Sequence, residues 1–157
     1  MKNKTIALWV TFLLGPLGLH RVYLKGRMDA VGWLLPVSTL IGVYGVYRAR
    51  DVGLDDTLSW LLIPFLGFVI AGCALNAIVY GLMDAEAWNR RFNPQVDVNA
   101  PQGQTGWWTV VGMATALLIG ATVLLSTIAF SFQRYFEYEQ EESKSTFLLQ
   151  TVKKFAG

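Results

Sequence analysis

Residues 17–29 read LGLHRVYLKGRMD and bring the chain's single histidine, His20, beside Arg21 and Tyr23, with Lys25, Arg27 and Asp29 close behind. Side chains of these types could ligate a metal, relay a proton or hold a phosphate headgroup. A metal site wants several converging His, Cys or carboxylate ligands. Here one histidine is set against carboxylates scattered along the chain, at Asp29, Asp51, Asp55 and Asp56. A Ser–His or Cys–His mechanism would have to run through His20, and the nearest serine, Ser38, lies in the next apolar run. No Gly-x-Ser-x-Gly, P-loop, His-Glu-x-x-His or Cys-x-x-Cys pattern occurs. The expectation is a protein that is not an enzyme and carries no cofactor or metal. The plain reading of His20, Arg21 and Tyr23 is a polar seam at headgroup depth, bonded to backbone or phosphate. The functional reading is recognition of a lipid headgroup or a partner.

The elements that must position these residues are set by hydrophobicity. The 157 residues are 54% hydrophobic and 15% charged, against about 25% charged in an average soluble domain. The charges crowd into gaps between four long apolar windows. A bilayer core takes about 20 apolar residues per helix, and backbone groups in lipid must be satisfied within their own segment. An all-α integral membrane protein with four transmembrane helices is expected. A net charge of +2 without a basic block gives no sign of nucleic-acid binding. Cys73 is alone, which excludes an internal disulfide.

The first span is expected at about residues 5–24, interrupted by GPLG at 15–18, where Pro16 removes a backbone donor. Its basic, apolar start imitates a signal peptide, but no small-x-small cleavage site follows, so it is read as a retained helix. The second span covers about 30–47, with Pro36 near its middle. A polar turn at 48–56 offers Asp55 or Asp56 as cap for the third span, about 58–83. DAEAWNRRFNP then reads as a short interfacial helix, with Trp88 and Phe92 on one face. A polar linker at 95–106 leads to a fourth span at about 107–132. Trp33, Trp60, Trp107 and Trp108 stand near span starts, as interfacial anchors do. The acidic, helix-favouring stretch 137–142 predicts that the fourth helix continues out of the bilayer as a rod. Leu148, Val152 and Phe155 recur on one face of that tail, which could lie on the membrane, fold back on the loops or dock on a partner.

Within the spans, small residues recur every four positions at Cys73, Ala77 and Gly81, and at Gly112, Ala116 and Gly120. Such stripes let helices approach closely. With four spans, one stripe is expected to serve internal packing and the other to remain for a partner. Asn76 is the clearest polar residue deep in a span and is expected to hydrogen-bond across helices. No acidic or basic residue lies mid-span, which argues against ion-coupled transport.

The opening stretch KNKTIALWVTFLLGPLGLHRVYLKG resembles the TM2-domain proteins, called NINE proteins in bacteria. The resemblance rests on Gly15, Gly18, His20, Arg21, Tyr23, Leu24 and Gly26, and on Asp51 after the second helix. Val22 stands where the family usually has phenylalanine, Lys25 intervenes before Gly26, and Tyr47 replaces a tryptophan. A proteobacterial branch extends the likeness to about residue 94. The resemblance implies a TM2-type helical hairpin over residues 1–51 and, over residues 52–94, the third span and the interfacial helix; the fourth span and its tail at 107–157 lie outside the resemblance and rest on hydropathy alone. It implies a bacterial inner-membrane location and no general enzymatic reaction, and it makes His20, Arg21, Tyr23 and Asp51 a candidate interaction motif.

In a four-span arrangement the N-terminus, residues 48–56 and the tail share one side. Lysines and arginines near membrane ends then balance, and Lys144, Lys153 and Lys154 tip both termini towards the cytoplasm. The expected function is a small accessory or scaffold subunit packed against a larger membrane complex. The alternative is a self-assembling pore or a lipid-interacting protein.

Overall fold

A computed structural model describes residues 1–53 and 56–156. These residues form six α-helices: α1 (Lys4–Leu14), α2 (Leu19–Lys25), α3 (Ala30–Val52), α4 (Thr57–Leu82), α5 (Ala85–Phe92) and α6 (Trp107–Ala156). Short 3-10 turns lie at Gly15–Leu17 and Pro101–Gly103, and no strand occurs among the described residues. Three helices, α3, α4 and α6, are long and apolar enough to cross a membrane. The expected all-helical, multi-pass membrane character is present in these three.

The expected first span at 5–24 is not one helix. α1 has 11 residues, a length of about 16 Å against a hydrocarbon core of about 30 Å. Pro16 sits in the following 3-10 turn, and Gly18 closes it in the left-handed region at φ 73°, which glycine adopts without a Cβ clash. α2 then runs back along α1. The Asn3 N–H donates to the Tyr23 hydroxyl at 3.0 Å, and Lys2 Nζ donates to the Leu24 carbonyl. One continuous helix would hold residues 3 and 23 about 30 Å apart. The segment is therefore a hairpin whose ends meet. Within an apolar run, GPLG reads equally as a kink or a reversal, and contacts with α3 and α4 decide it. Thr39 Oγ1 on α3 shares its proton between the Pro16 carbonyl at 2.9 Å and the Leu35 carbonyl of its own helix at 2.8 Å. A Cβ on Gly15 would come within 2.8 Å of Cys73 Sγ on α4.

α3 and α4 form an antiparallel pair. Asp29 caps α3 by accepting from the Gly32 N–H at 2.9 Å, and Asp56 caps α4 by accepting from the Ser59 N–H at 2.9 Å. Asp55, the other candidate cap, lies outside the described residues. At this end Arg48 Nε and Nη2 reach Asp56 at 2.7 and 3.0 Å. This paired contact and the Ser59 hydrogen bonds hold the Asp56 carboxyl well below the usual carboxylate range.

α6 packs against α4 and α1. Gly81 faces Met113, Gly112 faces Leu8 and Gly120 faces Ala74. Leu8, Ala74, Ala77 and Ala116 make the buried core, with Trp9, Phe12, Ile78 and Met113 around them. Both small-residue stripes are thus consumed inside the bundle, which corrects the expectation that one remains for a partner. The hairpin accounts for this, because α1 wedges its Leu8 between the two stripes.

α5 also differs in what it covers. Its apolar face does not look outward: Trp88 is fully buried against Ala7 and Leu24, with Tyr23, Tyr80, Met83 and Phe92 beside them. α5 closes the open end of the hairpin. The N-terminal residues consequently lie against residues 84–93 and not beside residues 48–56, as four spans would require. At the opposite end, α6 continues as a single helix of 50 residues. Gly67 of α4 meets Thr127, so Asp56 lies level with about residue 138, and α6 projects roughly 28 Å beyond it. The expected rod is present, and its tail does not fold back on the loops: Leu148, Val152 and Phe155 remain exposed.

Candidate functional site

The hairpin turn fixes the histidine motif. Gly18 ends the 3-10 turn and opens α2, so His20, Arg21 and Tyr23 fall on its first turns and point to three different neighbours. His20 is 2% exposed, and its Nδ1 has no hydrogen-bond partner. His20 and Cys73 both flank Gly15, yet no hydrogen bond joins them, so they do not form a nucleophile–base pair. Arg21 Nη1 donates to Asp29 Oδ2 at 3.0 Å while its Nε is buried without a partner. Tyr23 meets Asn3 and so ties α2 to the chain start.

Lys25 Nζ reaches Asp29 at 2.5 Å. The Lys25 contact, the Gly32 N–H and the nearby Arg21 charge pull the Asp29 carboxyl down to about 2. Asp51 is not part of this group. It is exposed near the end of α3, about 28 Å along the helix from Gly32, which packs on the motif turn. Among the described residues no three His, Cys, Asp or Glu side chains converge.

Two cavities adjoin the motif. The first, of about 470 Å³, lies between α2, α3 and α4 and is lined by His20, Arg21, Leu34, Phe65, Phe68 and Gly72, among others. Its wall is almost wholly apolar. The second, of about 420 Å³, lies towards the end capped by α5 and is lined by Lys25, Tyr80, Met83, Arg91 and Phe92. Arg21 and Asn76 border both. Asn76 does not bond across helices, contrary to expectation: its Nδ2 donates to Gly72 O of its own helix at 3.0 Å, and the residue is exposed. Its side chain borders the two cavities.

Several residues that organise this end carry no motif. Lys4 is fully buried and donates to the Met83 carbonyl at 2.9 Å and to Thr105 Oγ1 at 2.6 Å, joining the starts of α1 and α6 to the end of α4. Asn93 takes the Lys2 N–H at 2.7 Å and gives its Nδ2 to the Lys2 carbonyl at 2.9 Å. Trp88 Nε1 donates to the same carbonyl at 3.0 Å. Asn89 holds the linker through Val98 O and Ala100 O, both at 2.9 Å. Asn89 on α5 and Asn93 just after it carry no sequence signal that separates them from solvated polar residues.

No family model, curated protein or solved structure matches this chain.

Proposed function

We propose that this chain is a non-catalytic accessory or scaffold subunit of a larger membrane complex, docked through its projecting helix. The observation that carries this reading is the part of α6 beyond residue 138. Phe147, Leu148, Val152 and Phe155 expose a large apolar surface along it. Exposed apolar surface of this kind marks interaction sites. The small-residue stripes give no support, being occupied internally.

The proposed topology has three crossings and a re-entrant hairpin in place of a fourth. Non-helical backbone at membrane depth is tolerated only where protein buries and satisfies it, and the Thr39 contact to Pro16 meets that condition. The N-terminus and the rod then lie on opposite sides. Lys2, Lys4, Arg21, Lys25, Arg27, Arg90 and Arg91 gather at the first end, against Arg48, Arg50, Arg134 and Lys144 at the other; Lys153 and Lys154 stand more than about 20 residues beyond the apolar run of α6, outside the reach over which the rule counts charges. This imbalance favours a cytoplasmic N-terminus and an external tail, in place of two cytoplasmic termini. The TM2 resemblance supports a bacterial inner-membrane setting.

The test is capture of the N-terminally tagged chain in mild detergent, with native sizing. A stoichiometric larger species is expected from the wild type and is lost on combining Leu148→Asp with Val152→Asp. Only monomers or homo-oligomers from the wild type would sink the proposal and favour the self-assembling reading.

A further inference from the structure

The two cavities beside the motif form one cleft of divided character. Its deep part is apolar and opens on the outer surface of the bundle, where Leu34, Phe65 and Phe68 stay half-exposed. Its mouth is cationic. Lys25, Arg21 and Arg91 border it, and Asp29 is the carboxylate in contact with the first two. Among the described residues Arg91 has no carboxylate partner; its guanidinium sits 5.5 Å over the Phe92 ring. Arg21 Nε, on the residue that borders both parts, and His20 Nδ1, beside the apolar part, are buried polar atoms without a hydrogen bond among the described residues. Buried polar groups of this kind are normally satisfied.

A ligand matched to this cleft carries a negative headgroup on a hydrocarbon chain. We infer that the cleft is a binding site for an anionic phospholipid, its phosphate held at Arg91, Lys25 and Arg21 and one acyl chain laid along Leu34, Phe65 and Phe68. Basic pockets between membrane helices recognise anionic headgroups in this way. The excess of basic groups over Asp29 disfavours the extra positive charge of a choline headgroup. Gly72 keeps the apolar floor open, since a Cβ there would meet nothing within 4 Å.

The experiment is native mass spectrometry of the full chain in mild detergent, titrated with phosphatidylglycerol or phosphatidylcholine of identical chains. One phosphatidylglycerol is expected to be retained, with phosphatidylcholine weaker by about fivefold or more, and Arg91→Gln costs phosphatidylglycerol about fivefold, the factor for one basic residue at an anionic headgroup. Gly72→Leu, which fills the floor, lowers retention of both lipids with melting unchanged. Equal retention of the two lipids overturns the inference, and so does retention that neither variant alters. Displacement of phosphatidylglycerol by millimolar glycerol 3-phosphate also overturns it, by making the mouth a site for a soluble anion.

Discussion

Asp29 caps α3 through Gly32, accepts from Lys25 and pairs with Arg21, and each of these contacts favours the charged carboxylate. Its pKa falls from 3.8 to about 2 on folding. A depressed folded pKa contributes stability that is present above the unfolded value and is lost as pH falls through the folded one. Thermal melting of the protein in detergent should therefore drop between pH 4 and pH 2, and Asp29→Asn should flatten the curve in that window. At this scale the sequence places His20, Arg21 and Tyr23 together, and the structure sets them on α2 with Asp29 within reach of Arg21. Their partners were not legible, because each comes from a distant part of the chain: Asn3 for Tyr23, and the walls of α3 and α4 for His20. Lys4 shows the same limit. A lysine near a chain start reads as a solvated charge, and only the converging ends of α4 and α6 make it a buried tie.

Among the elements, the hairpin of α1 and α2 departs furthest from expectation. Hydropathy fixes where a run is apolar but not whether the run crosses or returns, and GPLG is compatible with both. What stabilises the return is a polar contact from another helix. Thr39→Val removes the hydroxyl that the Pro16 and Leu35 carbonyls share and should lower stability by about 1 kcal/mol. Thr122→Val is the control, since its hydroxyl serves only the Leu118 carbonyl of its own helix; paired thermal melts of the two variants decide the point. α3, α4 and α6 were legible from length and hydropathy, and Asp56 as the cap of α4; α3 runs on to Val52, through the first part of the stretch that reads as a polar turn. α5 was legible as a helix but not in its role. A short amphipathic helix carries the same pattern whether its apolar face meets lipid or protein.

For the molecule as a whole, the hairpin changes the parity of the topology. Three crossings set the first and last residues apart, where four would bring them together. In sealed vesicles, an N-terminal tag and a cysteine at Arg27→Cys should be reached from one side by protease and impermeant maleimide, and Glu141→Cys from the other. Met1 is 84% exposed and leaves room for the tag. Four crossings predict the tag and Glu141→Cys together, with Arg27→Cys opposite. The same long-range closure bears on the order in which the chain can be made. The backbone of Lys2 is gripped on both its N–H and its carbonyl by Asn93, with Trp88 added at the carbonyl. When the hairpin leaves the ribosome, those partners do not yet exist. Two of the three crossings must be threaded before α5 emerges to latch what was synthesised first. The beginning of this protein is therefore among the last of its parts to settle, and a nascent chain halted before residue 88 carries an unlatched hairpin open to the membrane machinery around it.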